Sequence, residues 1–328
     1  MAERIPVSPP VIPPLTNNDA RPNWSVMIPT YNCSKFLIET LQSVLAQAKN
    51  PDEMQIEVVD DYSTDDDVEA IVNEIGKGRV SFYKQPRNVG SLRNFETCIN
   101  RAKGQWVHLL HGDDVVKPGF YSEIEDLFEK NPSAGAACTG FSCIDENSSL
   151  LIHNDYIQGA PGIIPDWLLK IAKGQLLQTC AVVVKRSVYE HLGGFFAVHY
   201  GEDWEMWVRI AANYPVAYSP ETLALYRVHN NNISARYLAT GQNIRDIITV
   251  INIIQNYLPV EKRKEIKQRA KRDFSLYFTE NAQRIYRKHK NGKVSLKQAR
   301  GAVRLHFNKT TFVSLLKLYA KVVLNYKK

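Results

Sequence analysis

Ala102 to Pro118 reads AKGQWVHLLHGDDVVKP, and its middle decides how the chain is organised. An apolar run of Trp106, Val107, Leu109 and Leu110 leads into His111, Gly112 and two adjacent carboxylates, Asp113 and Asp114. A buried strand followed at once by an acidic pair puts charge at a strand's carboxyl end, where open α/β sheets bind their ligands. Neighbouring carboxylates repel unless a cation or hydrogen-bond donors hold them. A hard divalent cation shared with a diphosphate meets that need, because such ions take oxygen ligands and coordinate substrate phosphates. Taken alone, the pair fits an acidic turn capping a helix near Pro118 at least as well. The rest of the chain separates the two readings.

Upstream, Trp24 to Ile28 is an apolar run broken by Pro29 and reads as a first buried strand. Ser34 is placed to cap a helix whose apolar positions Phe36, Leu37, Leu41, Val44 and Leu45 recur at helical spacing. Ile56 to Val59 is a second strand, ending in Asp60-Asp61-Tyr62-Ser63-Thr64-Asp65, and Val68, Ile71, Val72 and Ile75 mark the helix after it. Val80 to Tyr83 is a third strand, followed by a helix carrying Leu92, Phe95, Cys98 and Ile99. The stretch quoted first supplies the fourth strand, and Phe120 to Phe128 its helix. Such alternation implies an α/β fold with a parallel sheet covered on both faces. Asn32, Asp61, Arg93 and the Asp113–Asp114 pair then collect at the carboxyl ends of the strands.

Further strands are expected over 136–140, 179–184, 217–218 and 223–226. The intervening loop, about 145–175, is a candidate acceptor loop. Trp204, Trp207, Val208 and Ala211 have helical spacing, so Glu202 and Asp203 sit at a helix N-terminus, where the macrodipole favours negative charge.

The 328-residue chain is 44% hydrophobic, ample for a core. Its first 23 residues hold six prolines and no apolar stretch of signal-peptide type, which predicts an extended, poorly ordered leader. Five cysteines without a CxxC pair read as reduced thiols and not as a zinc site. Those reduced thiols lead to the expectation of a cytoplasmic protein, and no run approaches the ~18 apolar residues of a membrane span. The net charge of +7 conceals an asymmetry: residues 1–241 hold 20 Lys+Arg against 29 Asp+Glu, and residues 242–328 hold 21 against 5. The organisation expected is a leader over 1–23, a catalytic domain over 24–240 and a basic helical region over 241–328. In the last, helical patterns run through Ile247 to Tyr257, Glu261 to Lys290 and Phe312 to Val323.

Several segments, in order, resemble the family 2 glycosyltransferases, which have the GT-A fold, a Rossmann-like, mostly parallel sheet flanked by helices. These are Val26-Met27-Ile28-Pro29-Thr30-Tyr31-Asn32, Val58 to Asp65, Asn88-Val89-Gly90 with Arg93-Asn94, Leu109 to Val115, Glu202-Asp203-Trp204 and Tyr226-Arg227-Val228-His229. Together they cover about 24–234. Two departures stand out: Tyr62, where a glycine is usual, and His111-Gly112, where an acidic or small residue often stands. His111 leaves one fewer carboxylate near the cation, so weaker metal binding is expected.

The resemblance implies an inverting transferase of the hexosyltransferase type. It would move a sugar from a nucleoside-diphosphate donor, UDP- or dTDP-linked, to a hydroxyl of a glycan or lipid-linked acceptor in polysaccharide assembly. Pro29 and Tyr31 would line the nucleobase pocket, Asp61 would accept from a nucleobase N–H, and Arg93 would face the diphosphate. Asp114 would ligate Mg²⁺ or Mn²⁺, with Asp113 on the ribose or a metal-bound water and His229 a further candidate near the metal. Asp203 would be the general base, Glu202 would orient its loop, and Trp204 would offer an acceptor platform.

The basic C-terminal region lies outside this resemblance. It reads as a helical cap, a homo-oligomer contact, or a peripheral contact with anionic lipid at the inner face of the membrane. No nucleic-acid reader motif accompanies its charge. A sugar nucleotidyltransferase on a related fold would need a Gly- and Arg-containing loop where Pro29-Thr30-Tyr31-Asn32 stands. A haloacid-dehalogenase-like phosphatase needs Asp-x-Asp after an early strand, a spacing that Asp60-Asp61-Tyr62 lacks. A binding scaffold that has lost catalysis fits poorly with retention of Asp114 and Asp203.

Overall fold

The computed structural model describes residues 4–15, 21–229 and 233–324. The chain divides into two compact units: residues 1–167, 176–197 and 209–229 form the first, and residues 168–175, 198–208 and 230–328 the second. The segment carrying Glu202 and Asp203 groups with the C-terminal helices.

In chain order the elements up to residue 229 are β1 (Trp24–Thr30), α1 (Ser34–Leu45), β2 (Met54–Asp60), α2 (Val68–Gly76), β3 (Ser81–Lys84), α3 (Ser91–Arg101), β4 (Trp106–Leu109), β5 (Val115–Val116), α4 (Phe120–Lys130), β6 (Ala136–Ile144), β7 (Leu150–His153), β8 (Gly162–Ile163), α5 (Trp167–Ile171), β9 (Val182–Lys185), α6 (Arg186–Leu192), α7 (Glu202–Asn213) and β10 (Val216–Arg227). The strands make one sheet in the order β3-β2-β1-β4-β9-β6-β10-β5, with β7 added to β6 and β8 to β10.

The half built from β3, β2, β1 and β4 is parallel, as the strand–helix alternation implies. Val26, Ile28, Ile56 and Val58 share a core with Leu41, Val72 and Ile124 of the helices, and Met27, Val59 and Leu109 are equally buried on the opposite face. The sheet is nevertheless mixed: β9 pairs antiparallel with both β4 and β6, and β5 antiparallel with β10. An apolar run such as Val182-Val183-Val184, buried on both faces, carries no mark of its direction.

Three local expectations are corrected. Pro29 does not break β1, which continues to Thr30 with Pro29 beside Val59. Along a strand, N and O of one residue project to one side. The Pro29 carbonyl accepts from Gly112 N on the β4 side, past the end of β4, so no ladder donor is needed there. Ser34 does not cap α1: the helix begins at Ser34, and its N–H donates to Asp65 Oδ2 at 3.0 Å from a neighbouring loop. The leader is docked over residues 4–15, while residues 1–3 and 16–20 lie outside the described residues. Its extended backbone leaves carbonyls unpaired. Pro6, Pro10 and Pro13 accept from Ala197 N, Gly194 N and Arg186 Nη2, and Ile12 is fully buried.

The second unit carries α8 (Ile233–Thr240), α9 (Gln242–Ile254), α10 (Val260–His289), α11 (Gly292–Leu305) and α12 (Lys309–Val323). Helices α10, α11 and α12 pack around Ala282, Tyr286, Ala299 and Leu318. Helix α11 was not anticipated, because Gly292 and Gly301 interrupt its apolar pattern. Both glycines are sites of close approach: a Cβ on Gly301 would stand 2.2 Å from Ile244 Cδ1. Buried Asn243 and Gln298 exchange amide hydrogen bonds of 3.1 and 2.9 Å between α9 and α11. Among the described residues no helix is long and apolar enough to cross a membrane.

Candidate active site

The carboxyl ends of β1 and β2 open into two interlocked loops. Asp60, fully buried, accepts from Ser63 N at 3.1 Å and from its hydroxyl, which closes the turn around Tyr62. Tyr62 has φ +66°, the left-handed conformation that favours the glycine expected there. Asn32, at φ +48°, accepts from Thr64 N at 2.8 Å and ties the first loop to the second. Tyr31 is 45% exposed beside them, open to a stacking partner.

Asp61 is held from inside the protein. Its carboxylate accepts from Val89 N at 2.6 Å, Gly90 N at 2.9 Å and Asn88 Nδ2 at 2.9 Å, which pins the loop after β3. Burial pushes its pKa up against the pull of those donors. A carboxylate has about four lone-pair positions, so at most one is left, on a side chain that is only 2% exposed. Arg93 Nη1 donates to Glu96 Oε2 at 2.6 Å along α3.

The acidic turn follows β4. Gly112 N donates to the Pro29 carbonyl, and a Cβ on Gly112 would stand 2.9 Å from Thr30 Oγ1 and 3.0 Å from Cys33 Sγ. Only glycine lets the turn lie this close to the first loop. Asp114 is buried; its Oδ1 accepts from Arg227 N at 2.9 Å, its Oδ2 has no nitrogen or oxygen donor, and the Cys180 thiol lies against the carboxylate. His111 stacks on Phe95 at 5.2 Å, its Nδ1 is 3.8 Å from Asp114 Oδ2, and its buried Nε2 is unpartnered. Asp113 is more accessible, and its Oδ2 lies 3.0 Å from His229 Nε2 at the end of β10.

Burial drives the pKa of Asp114 well above the carboxylate range, with the Asp113 charge adding to it; burial lowers that of His111. Ligand atoms of His111, Asp113 and Asp114 all lie within 4.8 Å of one another. Two carboxylates and an imidazole gathered this closely fit a divalent cation. The nitrogen donor suits Mn²⁺ better than Mg²⁺.

Arg227 braces this turn, a role that nothing in the sequence assigned to it. Its buried guanidinium donates from Nε to the Asp113 carbonyl at 2.8 Å, from Nη1 to the Asp145 carbonyl and Ser148 Oγ, and from Nη2 to Glu39 Oε2 at 2.6 Å. It also lies over the Phe36 ring, 4.9 Å from the centroid. Arg227 stood in a segment already singled out. Its partners Glu39, Asp145 and Ser148 are remote in sequence and gave no signal.

In the second unit, Asp203 lies in the first turn of α7. Its Oδ1 accepts from Trp204 N at 2.7 Å and its Oδ2 from Gln175 Nε2 at 2.6 Å. Burial raises its pKa to about 6. Burial, then the charge of Asp203, push Glu202 well above its ordinary range, with Asp246 adding to the effect. Gln175 and Asp246 were not foreseen, because nothing in the sequence links them to α7. Trp204 corrects an expectation: it is fully buried, donates from Nε1 to the Ile171 carbonyl at 2.7 Å and packs 4.9 Å from Phe274. Its position on the inward stripe of α7 makes it core and leaves no face for an acceptor.

Comparison with known proteins agrees with this architecture. A Haemophilus influenzae protein described as an uncharacterized glycosyltransferase is 25% identical over 224 residues, 66% of this chain and 68% of its own. Staphylococcus aureus TarS, solved over residues 1–349 with UDP-GlcNAc, superposes with a TM-score of 0.65 at 15% identity, covering 93% of this chain and 89% of that one. The mannosyltransferase PcManGT of Pyrobaculum calidifontis, solved with GDP-Man and Mn²⁺, gives 0.57 at 17% identity, covering 99% and 92%. The fold is therefore GT-A. The family model of glycosyl transferase family 2 matches residues 25–193, just over half of the chain. The chain belongs to this family and is a glycosyltransferase.

Proposed function

We propose that the protein transfers a sugar from a nucleoside-diphosphate donor to a hydroxyl of a glycan or lipid-linked acceptor, with inversion at the anomeric carbon. The observation that carries this reading is the gathering of ligand atoms from His111, Asp113 and Asp114 within 4.8 Å of one another at the carboxyl end of β4. TarS was solved with UDP-GlcNAc and PcManGT with GDP-Man and Mn²⁺, which supports a donor of this class.

Asp113, Asp114 and His111 would hold the cation, Mn²⁺ or Mg²⁺. When bound, it supplies positive charge that stabilises the departing diphosphate. His229 orients Asp113, and Arg227 keeps the turn fixed, so little reorganisation accompanies charge development. Pro29 and Tyr31 receive the nucleobase, the remaining lone pair of Asp61 accepts its N–H, and Arg93 serves the diphosphate. The one acceptor position that Asp61 can still offer suits the imide N–H of uracil or thymine, so a UDP- or dTDP-sugar is the preferred donor.

Asp203 is assigned as the general base. It takes the proton of the acceptor hydroxyl as that oxygen forms its bond to the anomeric carbon and the bond to the diphosphate oxygen breaks. A pKa of about 6 suits a general base, because the carboxylate is ionised at neutral pH yet more basic than an exposed aspartate. Gln175 and Trp204 N fix its two oxygens, and Glu202 shapes the turn that presents it.

The test is a thermal-shift screen of UDP-, dTDP- and GDP-sugars with Mn²⁺. A ligand at about 100 times its Kd stabilises by about 2.7 kcal/mol, enough to single out one donor. Stabilisation by no nucleotide-sugar, with or without Mn²⁺, would refute the assignment.

A further inference from the structure

Helix α12 offers a surface that glycosyl transfer does not use. It buries only Thr311 and Leu318 outright, Leu318 against α10 and α11. On its outer side Phe312, Leu316 and Val323 are 40, 52 and 75% exposed, with exposed Ala320 between them. Steps of four, four and three residues place these side chains in one stripe along the helix. Phe307, 67% exposed, extends the stripe by packing 5.6 Å from Phe312. Beside it runs a basic row, Lys317 and Lys321. Together with Lys309, Thr310, Ser314 and Gln283 they line a cleft of about 450 Å³.

The sequence that builds this face is strongly basic, although Glu280 on α10 is exposed one turn before Gln283. From Asn281 to Lys328 the chain holds 13 Lys+Arg and no Asp or Glu. A second copy docking through the same face would set lysine against lysine, which costs binding energy. A soluble polyanion would satisfy the lysines and leave Phe312, Leu316 and Val323 in water. An apolar stripe flanked by lysines suits a surface that is anionic outside and hydrocarbon beneath. We propose that the outer face of α12 docks on an anionic phospholipid bilayer. Phe307, Phe312, Leu316 and Val323 enter the acyl boundary, and Lys309, Lys317 and Lys321 receive headgroup phosphates. Each basic residue near such a surface contributes about fivefold in affinity, and the apolar stripe adds a component that salt does not screen.

The experiment is co-sedimentation of the full chain with vesicles of phosphatidylcholine alone and of phosphatidylcholine with phosphatidylglycerol, at low and high salt. Binding is expected to the anionic vesicles and to weaken with salt. The double variant Lys317→Gln/Lys321→Gln should bind about 30-fold more weakly. Phe312→Ser/Leu316→Ser should lose the residual binding at high salt. Because all four side chains face outward, circular dichroism and turnover of a soluble acceptor should remain as in the parent. Absence of binding at low salt, equal binding to phosphatidylcholine alone, or unaltered binding by the lysine variant would overturn the proposal. So would a dimer in sedimentation velocity that the Phe312 and Leu316 changes dissolve while vesicles bind neither form.

Discussion

His229 Nε2 stands 3.0 Å from Asp113 Oδ2, joining the end of β10 to the acidic turn after β4. The contact spans 116 residues of sequence and fixes one oxygen of the carboxylate, leaving the other to face a ligand. Partners of this kind orient metal ligands, and their loss typically costs about 10–100-fold in metal affinity or activity. His229→Ala should therefore raise the Mn²⁺ concentration for half-maximal turnover by that order, with little change in melting temperature. A metal titration of activity checks it.

Asp203→Asn should lower kcat by about 10²–10⁴-fold while leaving the thermal shift produced by the nucleotide-sugar intact. In the parent, kcat/KM should fall as pH drops through about 6, because Asp203 must be ionised to accept a proton. The effect on stability has the opposite sense. An aspartate whose folded pKa is raised stabilises the fold only when protonated, and that contribution is lost as pH rises from its unfolded value near 3.8 through about 6. At pH 8 the Asn variant should melt higher than the parent, and near pH 3 the difference should vanish. An acid limb unchanged in the Asn variant would remove Asp203 from the base role.

His111→Asp exchanges an imidazole for a carboxylate within the three residues proposed to hold the cation. Oxygen donors suit Mg²⁺ and imidazole suits transition metals. The variant should gain Mg²⁺-supported turnover relative to Mn²⁺ and bind the cation more tightly overall, as the missing acid at this position suggests. Equal metal preference in parent and variant would show that His111 does not reach the ion.

Gly112→Ala should destabilise the fold by about 1–3 kcal/mol, since the new methyl meets Thr30 Oγ1 and Cys33 Sγ at 2.9 and 3.0 Å in a packed turn. Arg227→Ala should cost more, because the carbonyls of Asp113 and Asp145 lose their donor, at about 1–3 kcal/mol each, while Glu39, 43% exposed, turns to water. Arg227→Lys should recover only part of that loss, for an ammonium cannot reproduce the fork. Denaturant melts of the three variants give the ranking directly.

These positions show where sequence and structure part company. β1 to β4 and α1 to α4 were legible, β5 excepted, because apolar periodicity switches between strand and helix, and Asp61, Asp113 and Asp114 follow strands whose carboxyl ends collect ligands. The bracing of the turn was not legible. Arg227 reaches Glu39 across 188 residues, and no local pattern encodes such a pair. Trp204 was ambiguous for a related reason: an aromatic beside a catalytic motif looks the same in sequence whether its ring faces the core or the acceptor. The docked leader was hidden because proline-rich composition reports extension, and extended chain can be held by carbonyls as at Pro6 and Pro10.

The central claim is that His111, Asp113 and Asp114 hold a divalent cation used in transfer from a nucleoside-diphosphate sugar. Its most direct measurement is nucleoside-diphosphate release from the donor selected by thermal shift, by the parent and by Asp113→Asn, in EDTA and with added Mn²⁺. Release is expected from the parent only when Mn²⁺ is present, and at least about 10²-fold less from Asp113→Asn under the same conditions. Undiminished release in EDTA, or full activity of Asp113→Asn, would contradict it.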